Sequence, residues 1–256
     1  MPETLAEVDE ICVPIGDIAG DPSVGDRFEP AISTREIALA PHRERRWTAI
    51  SCRALDIVGA GIGLILLAPV MAGAAIAVRL DSRGRALFRQ TRLGYGLQPF
   101  VVNKFRTMHT GVGHDEHRAF VQRLIAGDAE RHQRDNNEAL FKIAFDTRVT
   151  RIGRFLRRTS IDELPQLFNV LSGEMSLVGP RPPLDYEVEH YPDAAFGRFA
   201  VKPGITGLWQ VSGRSELCFD EMIELDLEYV RGRSLWTNVK ILCRTVIVVF
   251  SRKGAA

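Results

Sequence analysis

Ile57 to Val78 reads IVGAGIGLILLAPVMAGAAIAV, 22 residues without a charge. As a straight helix this run would be about 33 Å long, enough for a hydrocarbon core of about 30 Å. A buried core helix is the alternative, but the length and the lack of a polar face favour a membrane segment. Gly59, Gly61 and Gly63 form G-x-G-x-G rather than G-x-G-x-x-G, and no acidic residue follows at the spacing a dinucleotide fold requires. The flanks bear on topology. Arg43, Arg45, Arg46 and Arg53 precede the run, and Arg79, Arg83, Arg85, Arg89 and Arg92 follow it. Positive charge is retained on the cytoplasmic side, so a simple crossing strands one cluster, whereas a helix that enters and returns strands neither. Pro69 lies mid-run, where it removes an internal hydrogen bond and kinks a helix. The expectation is a Pro-kinked, re-entrant anchor over residues 47–85, with one tilted span as the alternative.

Outside the anchor, 45% hydrophobic and 25% charged residues in a chain of 256 exclude a wholly disordered protein. Lys and Arg number 33 against 32 acids, so no global basic field recruits nucleic acid. That balance hides an asymmetry: residues 1–46 hold ten acids and five Arg, and the rest holds 28 cations against 22 acids. With Pro2, Pro14, Pro22, Pro30 and Pro41 and no sustained period, residues 1–46 read as a mobile acidic tail, and they lack the basic start and apolar core of a signal peptide. Cys12, Cys52, Cys218 and Cys243 make no CxxC pair or zinc spacing, which points to a reducing compartment.

Residues 86–256 read as a mixed α+β domain. Ala86–Leu93 and Phe100–Met108 look like strands joined by a Gly94-Tyr95-Gly96 turn, with Lys104 and Arg106 on one face, where they either clamp a diphosphate or are solvated. His109, His114 and His117 fit no metalloprotease spacing, and Gly127–Glu138 reads as a hydrophilic surface loop. In the run from Arg154 to Leu171, Leu164, Leu167, Phe168 and Leu171 recur at helical spacing, and Ser160-x-x-Glu163 matches a capping box. A helix is therefore predicted to begin near Asp162, with Asp162 and Glu163 at its positive end and Pro165 in its first turn. Taken alone, the two carboxylates are ordinary capping residues. Their neighbours are not ordinary: Arg157 and Arg158 precede them, Gly179-Pro180-Arg181-Pro182-Pro183 follows, and Lys202–Gln210 adds a glycine-bearing loop. Cations bracketing an ionised carboxylate suit a site that holds a phosphate beside a nucleophile.

KFRTM at Lys104–Met108, RRTSIDELPQLFNVLSGEMSLVGPRPP at Arg157–Pro183 and PGITGLWQVSGR at Pro203–Arg214 resemble the bacterial sugar transferases. These are monotopic polyprenyl-phosphate hexose-1-phosphate transferases that initiate exopolysaccharide and O-antigen units. The resemblance runs from about Arg46 to the C-terminus. It implies a small membrane-associated catalytic domain on the cytoplasmic face of the bacterial inner membrane, with a catalytic dyad at Asp162 and Glu163. It also implies Mg2+ on that dyad, and a nucleotide sugar and polyprenyl phosphate as substrates, handled by Lys104, Arg106, Arg157, Arg181 and Gln210. Association into a homo-oligomer is compatible with it. One departure stands out: Asn238 occupies a position that is usually acidic in the family, which bears on either the metal or the fold.

The expected chemistry is attack by Asp162 on the sugar-bearing phosphorus, then transfer to polyprenyl phosphate, with Glu163 as metal ligand or assistant. Two rivals remain at this point: a membrane-tethered, non-catalytic adaptor of polysaccharide assembly, and a glycosyltransferase that releases a nucleoside diphosphate. Near the C-terminus, Trp236, Val239, Leu242, Cys243, Val246, Ile247 and Phe250 form an apolar face, which predicts an amphipathic helix lying at the membrane interface or packed in the core.

Overall fold

The computed structural model describes residues 46–109, 115–128, 132–133, 139–140 and 148–251. The expectations for the acidic tail, for His114 and for most of the 127–138 loop lie outside these residues.

Helix α1 spans Arg46–Asp81, 36 residues, and is continuous through Pro69. It is about 54 Å long, and its most apolar 18-residue window has a mean hydropathy of 2.3 with only 11% of the window buried. Ile62, Ile65, Leu66 and Val70 are exposed, so its apolar character is not consumed by the core. Both ends of α1 are tied to the same body. Near the start, Arg53 donates to the carbonyls of Val170 (2.6 Å) and Leu171 (2.9 Å). Asp56 accepts from Ser176 Oγ (2.9 Å) and from the Leu177 amide (2.8 Å). At the other end, the Arg106 guanidinium donates to the carbonyls of Ser82 (2.8 Å), Val78 (3.5 Å) and Arg83. The last carbonyls of a helix have no partner within it, and a guanidinium is a natural cap for them.

Strands β1 (Leu87–Leu93) and β2 (Pro99–Phe105) pair antiparallel, from Leu87 opposite Phe105 to Leu93 opposite Pro99. The turn between them contains Gly96 at φ 60°, a left-handed conformation that favours glycine. Strand β2 ends three residues earlier than expected: Arg106 still pairs through its amide with the Ala86 carbonyl, and Met108 bridges instead to Val149. Helix α2 (Asp115–Ile125) and a pair of two-residue strands, β3 (His132–Gln133) and β4 (Ala139–Leu140), precede α3 (Arg151–Thr159). The chain continues through α4 (Gln166–Ser172), β5 (Ser176–Val178), α5 (Asp185–Val188), a 3-10 stretch over Asp193–Ala200, β6 (Gly204–Thr206) and α6 (Leu208–Ser212). Helices α7 (Phe219–Gly232) and α8 (Leu235–Ser251) complete it.

The main core joins Ala60 of α1, Val102 of β2, Val170 of α4, Met175, Val178 of β5, Tyr229 of α7 and Ile241 of α8. A second cluster holds the far part of α1, through Ala74 and Val78, against Phe105 and Leu156. The result is mixed helix and strand, with parallel β5 and β6 at the centre, Ser176 opposite Gly204 and Val178 opposite Thr206. Gly204 and Gly179 meet so closely there that a Cβ on Gly204 would overlap the Gly179 backbone, which locks two loops together.

Helix α8 divides its residues unexpectedly. Asn238 and Ile241 are buried, whereas Trp236, Cys243, Val246 and Ile247 are exposed, so part of its apolar face points away from the core. Asn238 lies inside the body: the Tyr229 hydroxyl contacts Asn238 Oδ1 at 2.9 Å and the Val178 carbonyl at 2.9 Å. The departure at Asn238 therefore concerns packing of α7 on α8 and β5, and Asn238 does not line the pocket described next.

Candidate active site

Asp162 and Glu163 sit in a short 3-10 turn and do not open an α-helix. Thr150 caps α3 by accepting from the Gly153 amide (2.9 Å), and α3 ends at Ser160, whose backbone is left-handed (φ 56°). A 3-10 turn over Ile161–Glu163 follows, and α4 starts only after Pro165. The expected capping box is absent: the Ser160 side chain makes no cap bond, and only the Glu163 amide reaches back, to the Ser160 carbonyl (3.2 Å). The physical reason lies in Glu163. Its carboxylate is drawn off by Lys104 Nζ at 2.9 Å, a charged partner stronger than a backbone amide. Pro165 does occupy the entrance of α4, as its missing N–H predicts.

Lys104 and Arg106 have separate fates. Lys104 meets the dyad, whereas Arg106 turns to the end of α1 and does not line the pocket. The pocket is lined by Arg92, Val102, Lys104, Glu163, Gln166, Arg181, Pro182, Gly204, Ile205 and Gln210, with Asp162 and Arg157 outside its lining. Arg92 was not among the expected site residues, although the hairpin register contains the signal: Arg92 pairs with Phe100 and Phe88 with Lys104, which puts Arg92 and Lys104 on one face of the ribbon. Arg157 flanks the other carboxylate and donates through Nε to Thr107 Oγ1 (2.9 Å). Gln210 Nε2 donates to the Ile205 carbonyl (3.2 Å), and its buried Oε1 has no hydrogen-bond partner among the described residues.

Electrostatics separate the two carboxylates. Burial first, then the charge of Glu163, raises Asp162 to about 6. Burial pushes Glu163 up as well, but Lys104 and Arg181, with Arg92 beyond them, outweigh it and bring Glu163 below the ordinary carboxylate range. Burial also lowers Lys104 and takes Arg92 down to about 10, with Arg181 adding to the effect on both. Glu163 thus favours its ionised form, compensated by the cations around it, and Asp162 is the more basic of the two.

Among the described residues, no group of three or more His, Cys, Asp and Glu could hold a metal ion. The dyad nevertheless suits Mg2+, which is commonly bound by one or two carboxylates together with substrate phosphates rather than in an all-protein cage. A cation between Asp162 and Glu163 would also relieve the repulsion that helps raise Asp162.

A family model described as bacterial sugar transferase matches residues 47–252. The galactosyl transferase CpsE of Streptococcus agalactiae serotype III is 42% identical over 207 residues, 80% of this chain and 43% of that one. The undecaprenyl-phosphate galactose phosphotransferase of Salmonella typhimurium is 41% identical over 203 residues, 79% and 41% of the respective chains. The UDP-glucose:undecaprenyl-phosphate glucose-1-phosphate transferase of Caulobacter vibrioides is 41% identical over 225 residues, 84% and 76%. The matched region spans less than half of the first two relatives and about three quarters of the third.

Proposed function

The chain belongs to the bacterial sugar transferase family, and on that premise we propose that it transfers a hexose 1-phosphate from a nucleotide sugar, of the UDP-hexose class, to undecaprenyl phosphate or a close polyprenyl phosphate. The observation that carries the reading is the split dyad: a basic Asp162 next to an ionised Glu163, which itself lines a pocket with Lys104, Arg92 and Arg181. In the first step an Asp162 oxygen attacks the phosphorus that bears the sugar. The bond from that phosphorus to the bridging oxygen breaks, and a nucleoside monophosphate leaves. In the second step an oxygen of polyprenyl phosphate attacks the same phosphorus, the bond to Asp162 breaks, and the carboxylate is restored. Lys104, Arg92, Arg181 and Arg157 neutralise phosphate charge, so that an anion can attack an anion. Glu163 anchors Lys104 and shares any Mg2+ with Asp162; when bound, that ion supplies further charge neutralisation on the diphosphate. Gln210, with its unpartnered oxygen, accepts a hydroxyl or an imide hydrogen of the donor.

The same reading extends to the membrane. Because Arg53, Asp56 and Arg106 tie both ends of α1 to one body, a monotopic, re-entrant anchor with Pro69 at its turning point leaves the domain wholly on the cytoplasmic face of the inner membrane. The exposed face of α8 would lie at the same interface. Cysteine labels placed before Arg46 and after Arg92 should then react from the same side, and labelling from opposite sides overturns the topology. An adaptor role finds no support, since the dyad and its cations are complete. The catalytic test is product identity with UDP-glucose or UDP-galactose, undecaprenyl phosphate and Mg2+. Release of UMP is expected, and release of UDP would assign the chemistry to direct glycosyl transfer.

A further inference from the structure

The segment Pro180-Arg181-Pro182-Pro183 can donate almost no backbone hydrogen bonds, because three of its four residues lack an N–H. It is held the other way round. Its four successive carbonyls each accept from a separate donor elsewhere in the chain. Pro180 accepts from the Gly204 amide (2.9 Å), Arg181 from Arg198 Nη2 (3.0 Å), Pro182 from Arg92 Nη1 (2.7 Å) and Pro183 from the Leu93 amide (3.1 Å). Two of the donors are backbone amides that any residue would supply. Arg92 lines the pocket, so its grip on Pro182 is mixed with a direct electrostatic role. Arg198 does not line the pocket and is 6% exposed.

Resting on the function proposed above, we infer that Arg198, oriented by Asp226 and Tyr191, is a positioning residue that aims Arg181 at the donor phosphates. Arg198 Nη2 meets Asp226 Oδ2 at 2.6 Å, and its Nη1 meets the Tyr191 hydroxyl at 2.8 Å. Asp226 on α7 and Tyr191 between α5 and the 3-10 stretch are themselves fully or partly buried, and the Tyr191 ring packs on Phe219 at 5.2 Å. The guanidinium is thus set by two anchors in the body, and its remaining reach is spent on one carbonyl, that of the only loop residue whose charge faces the pocket. The planar fork of arginine satisfies these three acceptors together, which the point charge of lysine does not. Loss of the grip frees the Arg181 backbone between its two prolines without removing any group from the pocket. Small displacements of a charge-neutralising group carry large rate penalties.

The test is a double-mutant cycle. Arg198→Met should lower kcat/KM for UMP release from UDP-glucose by tenfold to a hundredfold, roughly the scale of a misplaced catalytic group. In an Arg181→Met background the same change should cost less than about twofold, because there is no longer a charge to aim. Equal losses in the two backgrounds overturn the inference and make Arg198 a structural residue only. Arg198→Met leaves a buried carboxylate unpaired, so the cycle is repeated with Arg198→Met/Asp226→Asn, which removes both charges. A nitroxide on Arg181→Cys, in a Cys12→Ser/Cys243→Ser background, gives a readout that needs no turnover. Its spectrum should show greater mobility when Arg198 is replaced, and an unchanged spectrum overturns the inference. Absence of UMP release by the wild type would sink the catalytic reading while the nitroxide still decides whether Arg198 holds the loop.

Discussion

Two acid–base pairs sit on either side of the Arg181 loop, and their surroundings are opposite. Lys104 and Glu163, 2.9 Å apart, keep 20% and 25% of their side chains exposed. Arg198 and Asp226, 2.6 Å apart, keep 7% and 1%. At Glu163 several cations converge and overcome burial, so the carboxylate is held below its ordinary range. At Asp226 a single cation does not overcome burial, and the carboxylate rises to about 6. The first pair therefore carries surplus positive field, with Arg92 and Arg181 left to meet an incoming anion. The second is close to charge-balanced and serves as a strut. An ion pair's distance says little about its role; the count of neighbouring charges and the access to water separate a site from a brace.

The largest expected effect lies on the open side. Asp162→Asn should abolish the covalent adduct and lower turnover roughly a thousandfold or more, since the amide lacks the attacking anion. Intact-protein mass spectrometry with UDP-glucose and Mg2+ but no lipid acceptor should show wild type gaining one hexose phosphate, mapped to the peptide of Asp162. An adduct in Asp162→Asn would end the covalent mechanism.

Next in size is the division between Lys104 and Arg106. Lys104→Met should cost about 2 kcal/mol of binding to the donor, tens-fold in KM, with little change in melting temperature. Arg106→Met should do the reverse, because it strips the cap from α1: the melting temperature falls while kcat and KM of the folded fraction hold. Equal kinetic losses in both variants would return Arg106 to the pocket.

Acidity gives a finer comparison. Asp162 must be ionised to attack, so kcat/KM should rise with pH through about 6 and level off above it. Glu163→Gln removes a like charge and frees Lys104 to act on Asp162, and both changes favour the anion, so this acid limb should move to lower pH. Displacement to higher pH would mean that Glu163 does not act on Asp162 through charge.

The smallest effect separates the real helix cap from the apparent one. Thr150→Ala should cost about 1 kcal/mol of stability, whereas Ser160→Ala should stay within about 0.5 kcal/mol, since only Thr150 accepts a helix amide. Chemical denaturation of the two variants measures this directly.

Chain chemistry alone determined the apolar run of α1, the β1–β2 hairpin with its glycine turn, and the gathering of carboxylates and cations around Arg157–Pro183. These rest on short-range rules: length of uncharged chain, alternation, glycine in a left-handed turn, and residue types within a few positions of one another. Tertiary structure decided what local pattern misjudged. Ser160 and Glu163 match a capping box, but Lys104, 59 positions from Glu163, outbids the amide for the carboxylate. Lys104 and Arg106 look equivalent on one strand, yet the end of α1 claims one of them. Arg92 reads as flanking charge until strand register puts it on the same face of the ribbon as Lys104. Arg198 and Asp226 carry no pattern at all, because their pairing spans 28 residues and exists only once α7 packs against the 3-10 stretch that carries Arg198. Each of these outcomes is a competition for a charged group among partners distant in sequence, and folding alone determines which partner comes within reach.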